Sequence, residues 1–245
     1  MRHLKWEACY NVRDVGGYPT LDGARLREGA LIRSDNLVHL TPAGQAALVA
    51  YGVRTIIDLR VPEELQMHPD PFAHAAGASA GVSYLNIPLS PEQEKSSAEH
   101  FRAARTIRES YCVALDYLAP IFARVITAMA DAPEGGVLFH CHAGRDRTGM
   151  VAALALSLVR VPQETIVEDY AITDEYIKPM NDAFIAGMKH QKERDEFMHE
   201  LSVSRETMRG FLAHLEQRHG GAEAYLLRAG VPLEKLERLR TRWIA

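Results

Sequence analysis

The ten residues from His140 to Gly149, His-Cys-His-Ala-Gly-Arg-Asp-Arg-Thr-Gly, constrain this chain most because of what flanks them. The apolar run Gly136-Val137-Leu138-Phe139 precedes them and Met150-Val151-Ala152-Ala153-Leu154-Ala155-Leu156 follows. The first run predicts a buried strand and the second a helix apolar on every side, so the polar stretch is a strand-to-helix connection set in a core. A helix N-terminus offers unpaired N–H donors and the positive end of the macrodipole, and consecutive loop amides form a nest for anions. A cysteine at such a position beside cations is expected to be a thiolate, which makes Cys141 an activated nucleophile.

The neighbouring residues suit a tetrahedral oxyanion. The amides of His142, Ala143, Gly144, Arg145, Asp146 and Arg147 are expected to line the cup, and the planar fork of Arg147 fits two oxygens at once. Gly144 and Gly149 allow close approach of backbone to ligand and of helix to neighbour. Thr148 is positioned to donate its hydroxyl to the Cys141 sulfur when that sulfur leaves. The full string at fixed spacing arises by accident on the order of once in a million chains, which argues against coincidence. The alternatives are a plain turn with a buried thiol, or a zinc site from His140, Cys141 and His142. Side chains on an extended run alternate faces, which disfavours the zinc site.

Short apolar or β-branched runs predict strands at 30–33, 53–59, 83–89 and 136–140. Thr41-Pro42 and Gly52 bound a helix over 42–51. A long helix is expected over 97–130, bent at Pro120, with Phe122, Val125, Ile126 and Met129 on one face. After the loop the chain reads as helical over 162–170, 173 to about 188, 204–218, 222–229 and 233–242, with a charged piece around 189–195. This alternation predicts an α/β fold with a central, mostly parallel sheet flanked by helices. The anion loop lies between a core strand and a buried helix, and the C-terminal part is helical. Ligands of such sheets bind beyond the carboxyl ends of the strands, where this loop falls. One domain over 1–245 is expected, with 173–203 as a candidate lid or, equally, a solvated helical hairpin.

With 47% hydrophobic and 24% charged residues, the chain has the composition of an ordinary globular protein. A net charge of −4 argues against nucleic acid as a partner, which would need a basic face. Three cysteines, at 9, 112 and 141, make no disulfide framework and suggest reducing surroundings. No secretory signal is read, and the longest apolar run, Met150 to Val159, is too short to span a bilayer. A cytoplasmic protein without an integral membrane segment is expected, signal-independent export being the alternative.

The loop resembles that of the cysteine-dependent phosphatases, in particular the atypical bacterial group acting on phosphotyrosine, other phosphoamino acids and phosphoinositides. The likeness extends to Asn11-Val12-Arg13-Asp14-Val15-Gly16-Gly17-Tyr18, Leu31-Ile32-Arg33-Ser34-Asp35 and Ile56-Ile57-Asp58-Leu59-Arg60, and more loosely to 220–226 and 233–243. It implies hydrolysis of phosphate monoesters through a phosphocysteine, without metal or cofactor, on a phosphorylated protein or a phosphoinositide. It departs at one point: many relatives carry an acidic Asp after the strand that here is Tyr84 to Leu89, and no Asp occurs in 90–94.

Asp146 is the acid the resemblance then implies; its alternative is to orient a loop amide or pair with Arg145. Asp58, at the end of a predicted strand, is the second candidate acid, or else a buttress for Arg147 or the loop. Arg145 stands where relatives usually have Lys, and a second cation there favours substrates with extra negative charge, the alternative being a plain surface residue. His140 is expected to bond loop backbone or tune Cys141, His142 to point off the loop, and Cys112 to pack within a helix. Asn11, Arg13 and Asp14 either line the site or form an N-terminal clamp. Two rivals stay open: a module that binds phosphorylated ligands without hydrolysis, and a rhodanese-like sulfurtransferase.

Overall fold

The computed structural model describes residues 1–73, 80–93, 96–188, 190 and 205–245. Among them, six strands form one sheet: β1 (Arg2–His3), β2 (Arg13–Asp14), β3 (Leu31–Ser34), β4 (Val53–Asp58), β5 (Ser83–Asn86) and β6 (Gly136–His140). Their order is β1-β2-β3-β6-β4-β5. β3, β6, β4 and β5 run parallel, and β1 and β2 extend the sheet antiparallel. β4 and β5 end earlier than their apolar runs: Ile87 N bonds Asp58 O and Leu89 N bonds Leu59 O as the chain leaves the ladder.

The central strands are buried on both faces, and their side chains alternate between two clusters as the two-residue period requires. Leu31, Ile57, Val137 and Phe139 pack into the larger cluster, and Ile32, Ile56 and Leu138 into the smaller. Register sets Ser34, His140 and Asp58 side by side at the carboxyl ends of three adjacent strands. The 141–147 loop therefore leaves the middle of the sheet at the carboxyl ends of its strands, the end at which sheets of this kind bind ligands.

Helix α1 (Pro42–Tyr51) has the predicted bounds: Thr41 Oγ1 accepts from Gly44 N, and Gly52 ends it at φ 100°. A short helix, α2 (Pro62–Met67), follows β4. The stretch 97–130 is not one bent helix but three: α3 (Ala98–Ala103), α4 (Ile107–Tyr117) and α5 (Ala119–Asp131). The chain turns by 77° between α4 and α5. Pro120 lies in the first turn of α5, where its missing N–H costs nothing, so it starts a helix rather than bending one.

Helix α6 (Asp146–Leu158) is buried continuously from Thr148 to Leu156 as its composition predicts. The remaining helices are α7 (Gln163–Ala171), α8 (Thr173–Gly187), α9 (Arg205–His219), α10 (Gly221–Arg228) and α11 (Leu233–Trp243). Of the candidate lid, 173–187 is α8, with Thr173 and Ile177 buried. The rest, apart from Met188 and His190, lies outside the described residues, as do most of the charged piece and Ser204. Among the described residues no single helix is long and apolar enough to cross a membrane.

Candidate active site

The loop owes its path to glycine. Gly144 has φ +67°, and a Cβ there would stand 2.3 Å from the Ser34 carbonyl oxygen. The chain can thus press against the end of β3 only without a side chain. At Gly149 a Cβ would meet the Tyr170 ring at 2.9 Å, so α6 and α7 pack at a distance only glycine permits.

Four successive carbonyls of the loop are each taken by a donor, from His140, from Asn11, and from Arg33 and Asn36 around the end of β3. His140 Nδ1 bonds Cys141 O at 3.0 Å, and Asn36 reaches His142 O with its backbone N at 2.8 Å and Nδ2 at 2.9 Å. Asn11 Nδ2 donates to Ala143 O at 2.9 Å, and Arg33 Nη2 to Gly144 O at 2.8 Å. Pinning the carbonyls outward leaves the amide hydrogens on the opposite side. Those of His142, Ala143 and Gly144 find no acceptor among the described residues. Unpaired loop amides of this kind are the donors that a nest offers, and Cys141, at the start of this stretch, is 3% exposed.

Arg147 is braced by Glu64 of α2. Nη1 lies 2.6 Å from Oε2 and Nη2 2.8 Å from Oε1, with Leu59 O 3.4 Å from Nη1. Of five guanidinium N–H groups, Nε–H and one on Nη2 stay unengaged among the described residues. Burial opposes the charge, yet the Glu64 bond and the Cys141 sulfur hold the Arg147 pKa above its ordinary value. Glu64, despite burial, is kept below the usual carboxylate range by Arg147. It also accepts from Val61 N at 2.9 Å, a capping bond that fixes its position at the start of α2.

The two candidate acids differ in surroundings. Asp58 is fully buried, held by Arg60 Nη2 at 2.6 Å and by the Tyr84 hydroxyl at 2.8 Å. Burial raises its pKa, but His140 and Arg60 outweigh that and keep it low. Asp146 keeps 39% side-chain exposure, with Arg145 Nε 3.1 Å from Oδ2 and the Tyr111 hydroxyl donating to Oδ1 at 2.7 Å.

His140 Nε2 lies 3.4 Å from Asp70 and 3.6 Å from Asp58. Burial disfavours its charge, but the two carboxylates raise its pKa to about 9, so it is an imidazolium at neutral pH. Asp58, Asp70 and His140 are spaced to hold a metal, but Arg60 Nη2, 2.6 Å from Asp58 and 3.9 Å from Asp70, already supplies the cation there.

Other expected residues fall as follows. Thr148 Oγ1 is buried without a hydrogen-bond partner among the described residues, so its expected bond to the Cys141 sulfur is not formed in this state. His142 is exposed, off the loop. Asn11 touches the loop, whereas Arg13 lies behind it on Asp169 at 2.9 Å. Asp14 serves the turn, accepting from Gly16 N and Gly29 N. Glu64, Asn36, Tyr111 and Asp169 were not singled out in the sequence. Only Glu64 left a trace there, three residues after Val61 behind a helix-starting Pro62.

The profile of the tyrosine phosphatase family matches residues 4–245. A tyrosine-protein phosphatase of Nostoc commune is 31% identical over 231 residues, covering 91% of this chain and 77% of that one. A triple specificity protein phosphatase, PtpB, of Mycobacterium tuberculosis is 27% identical over 273 residues, with 95% of each chain covered.

Proposed function

Since the chain belongs to the tyrosine phosphatase family, we propose that it hydrolyses phosphate monoesters at the 141–147 loop through a phosphocysteine. A cysteine-dependent phosphatase turns its ligand over, which sets aside the sulfurtransferase and the purely phosphate-binding alternatives. Cys141 sulfur attacks phosphorus as the ester P–O bond breaks, and Asp146 gives its proton to the departing oxygen. Loop amides, with Nε and Nη2 of Arg147, carry the charge on the equatorial oxygens. Asp146 then takes a proton from water, which attacks phosphorus as the S–P bond breaks, and the Thr148 hydroxyl swings to the departing thiolate. The observation that carries this reading is the set of four outward-pinned carbonyls, which leaves the facing amides for an anion.

Exposure supports Asp146 as the acid. An acid must meet the leaving group, and Asp146 has an accessible carboxyl, whereas Asp58 has none; Asp58 acts instead as a buttress that orients His140. Beside Arg147 and Glu64 opens a cavity of about 280 Å3 lined by Leu89, Pro91, Phe101, Tyr111 and Met150. An apolar slot next to the phosphate fork suits an aromatic leaving group, which favours phosphotyrosine. Tolerance of phosphoserine, phosphothreonine or phosphoinositides, in keeping with the name of the relative PtpB, is the wider part of the proposal. Arg145 serves it less than expected, being already paired with Asp146. The three free thiols fit a reducing compartment such as the cytoplasm.

The test compares rates on phosphotyrosine peptides, phosphoserine peptides and soluble phosphoinositides, with chelator present. Phosphotyrosine should lead, and Cys141→Ser should abolish turnover of all three. Turnover surviving that substitution would overturn the mechanism; phosphoserine turned over as fast as phosphotyrosine would overturn the role of the slot.

A further inference from the structure

Away from the catalytic loop, Asp116 of α4 faces His214 and His219 of α9. Both imidazole Nε2 atoms aim at one oxygen, Asp116 Oδ1, at 3.0 and 2.9 Å, and Arg218 Nε reaches the same atom at 3.1 Å. Three donors crowd an atom with two lone pairs, while the other oxygen of that carboxylate accepts no hydrogen bond among the described residues. The trio is partly enclosed, with 23%, 23% and 15% side-chain exposure for Asp116, His214 and His219. Its rings are fixed: His214 stands edge-on to His219 at 5.5 Å, and His219 to Tyr225 at 5.1 Å.

Two imidazole nitrogens and one carboxylate oxygen, mutually within 4.8 Å, form the donor set of borderline divalent metals, and a fourth position open to water completes a tetrahedron. Ligands about 2.0–2.1 Å from zinc stand roughly 3.3 Å apart, so the two imidazole-to-carboxylate separations of 3.0 and 2.9 Å need open by only a few tenths of an ångström. Arg218 is the competitor, but at 66% side-chain exposure it can swing into solvent.

We propose that Asp116, His214 and His219 form a site for a divalent transition metal, zinc in preference, which clasps α9 to α4. The site is structural and takes no direct part in the reaction assigned to the loop. By seating α4, it steadies the helix from which Tyr111 holds Asp146.

Zinc is titrated calorimetrically into tag-free, metal-stripped protein carrying Cys141→Ser, so that the loop thiol is no ligand. One equivalent should bind with Kd of about 1 µM or tighter, and zinc should raise the melting temperature. His214→Gln or His219→Gln, which keep an N–H donor but lose the imidazole, should weaken binding at least about tenfold while melting normally in chelator. Arg218→Ala should tighten it. Absence of saturable binding, or equal stoichiometry and affinity in the His214→Gln/His219→Gln double variant, would overturn the proposal.

Discussion

Asn11 lies far from Cys141 in sequence, yet its side-chain amide holds one of the four loop carbonyls. Asn11→Ala should cost about 1 kcal/mol of stability for one hydrogen bond. It should lower kcat about tenfold with little change in KM, because a loosened amide serves the transition state more than the ground state. Steady-state kinetics with a denaturant melt check both, and a loss confined to stability would contradict the role. Arg147→Lys keeps the charge but loses the fork and the Glu64 brace, and should reduce kcat/KM by about 10²–10³. His140 gives a pH signature. Its folded pKa of about 9 lies above the ordinary histidine value. Its stabilisation is therefore complete below about pH 6.5 and lost as pH rises through about 9, on the order of 3 kcal/mol. Urea midpoints should fall across that window; unchanged midpoints would contradict the buried imidazolium. Cys141 and Arg147 were legible in the sequence because five intervening residues of one loop set their separation. Glu64 was not, because it meets Arg147 across 83 positions of chain.

Helix α1 could be read to the residue because its stop and start signals are local: a Thr cap, a first-turn Pro and a left-handed Gly. The break between α4 and α5 could not. Tyr111, Leu115, Leu118 and Phe122 are all buried, so the apolar stripe keeps helical spacing straight through a 77° turn. Within the loop, Gly144→Ala combines positive φ with a contact on the Ser34 carbonyl that cannot relax without moving β3. Activity should disappear and stability fall by about 1–3 kcal/mol. An active, fully stable Gly144→Ala protein would show that the loop does not need this path.

For the molecule as a whole, Asp169 joins parts far apart in sequence. From α7 it takes Arg13 Nε of β2 at 2.9 Å, Arg33 Nη1 of β3 at 2.5 Å and the Tyr18 hydroxyl at 3.1 Å. Burial opposes its charge, but the two arginines bring its pKa down to about 2. Its stabilisation is present above about pH 4 and lost as pH falls toward 2. Asp169→Asn leaves two buried guanidinium groups short of a counter-ion and should cost about 3–5 kcal/mol in a chemical melt. A cost below 1 kcal/mol would contradict this account. The parallel sheet and the site at its carboxyl end followed from strand and helix alternation. An N-terminal clamp was one of the alternatives for Arg13, but its partner Asp169 was not legible, because an Arg in a two-residue strand carries no local sign of what it meets.

The central claim is that Cys141 becomes covalently phosphorylated. Quenching the enzyme in acid during turnover of a 32P-labelled phosphotyrosine peptide, then mapping the label, tests it directly. The account predicts label on the peptide containing Cys141, none in Cys141→Ser, and build-up in the time before steady state. Continued turnover with no label on the protein, or with label on another residue, would contradict it.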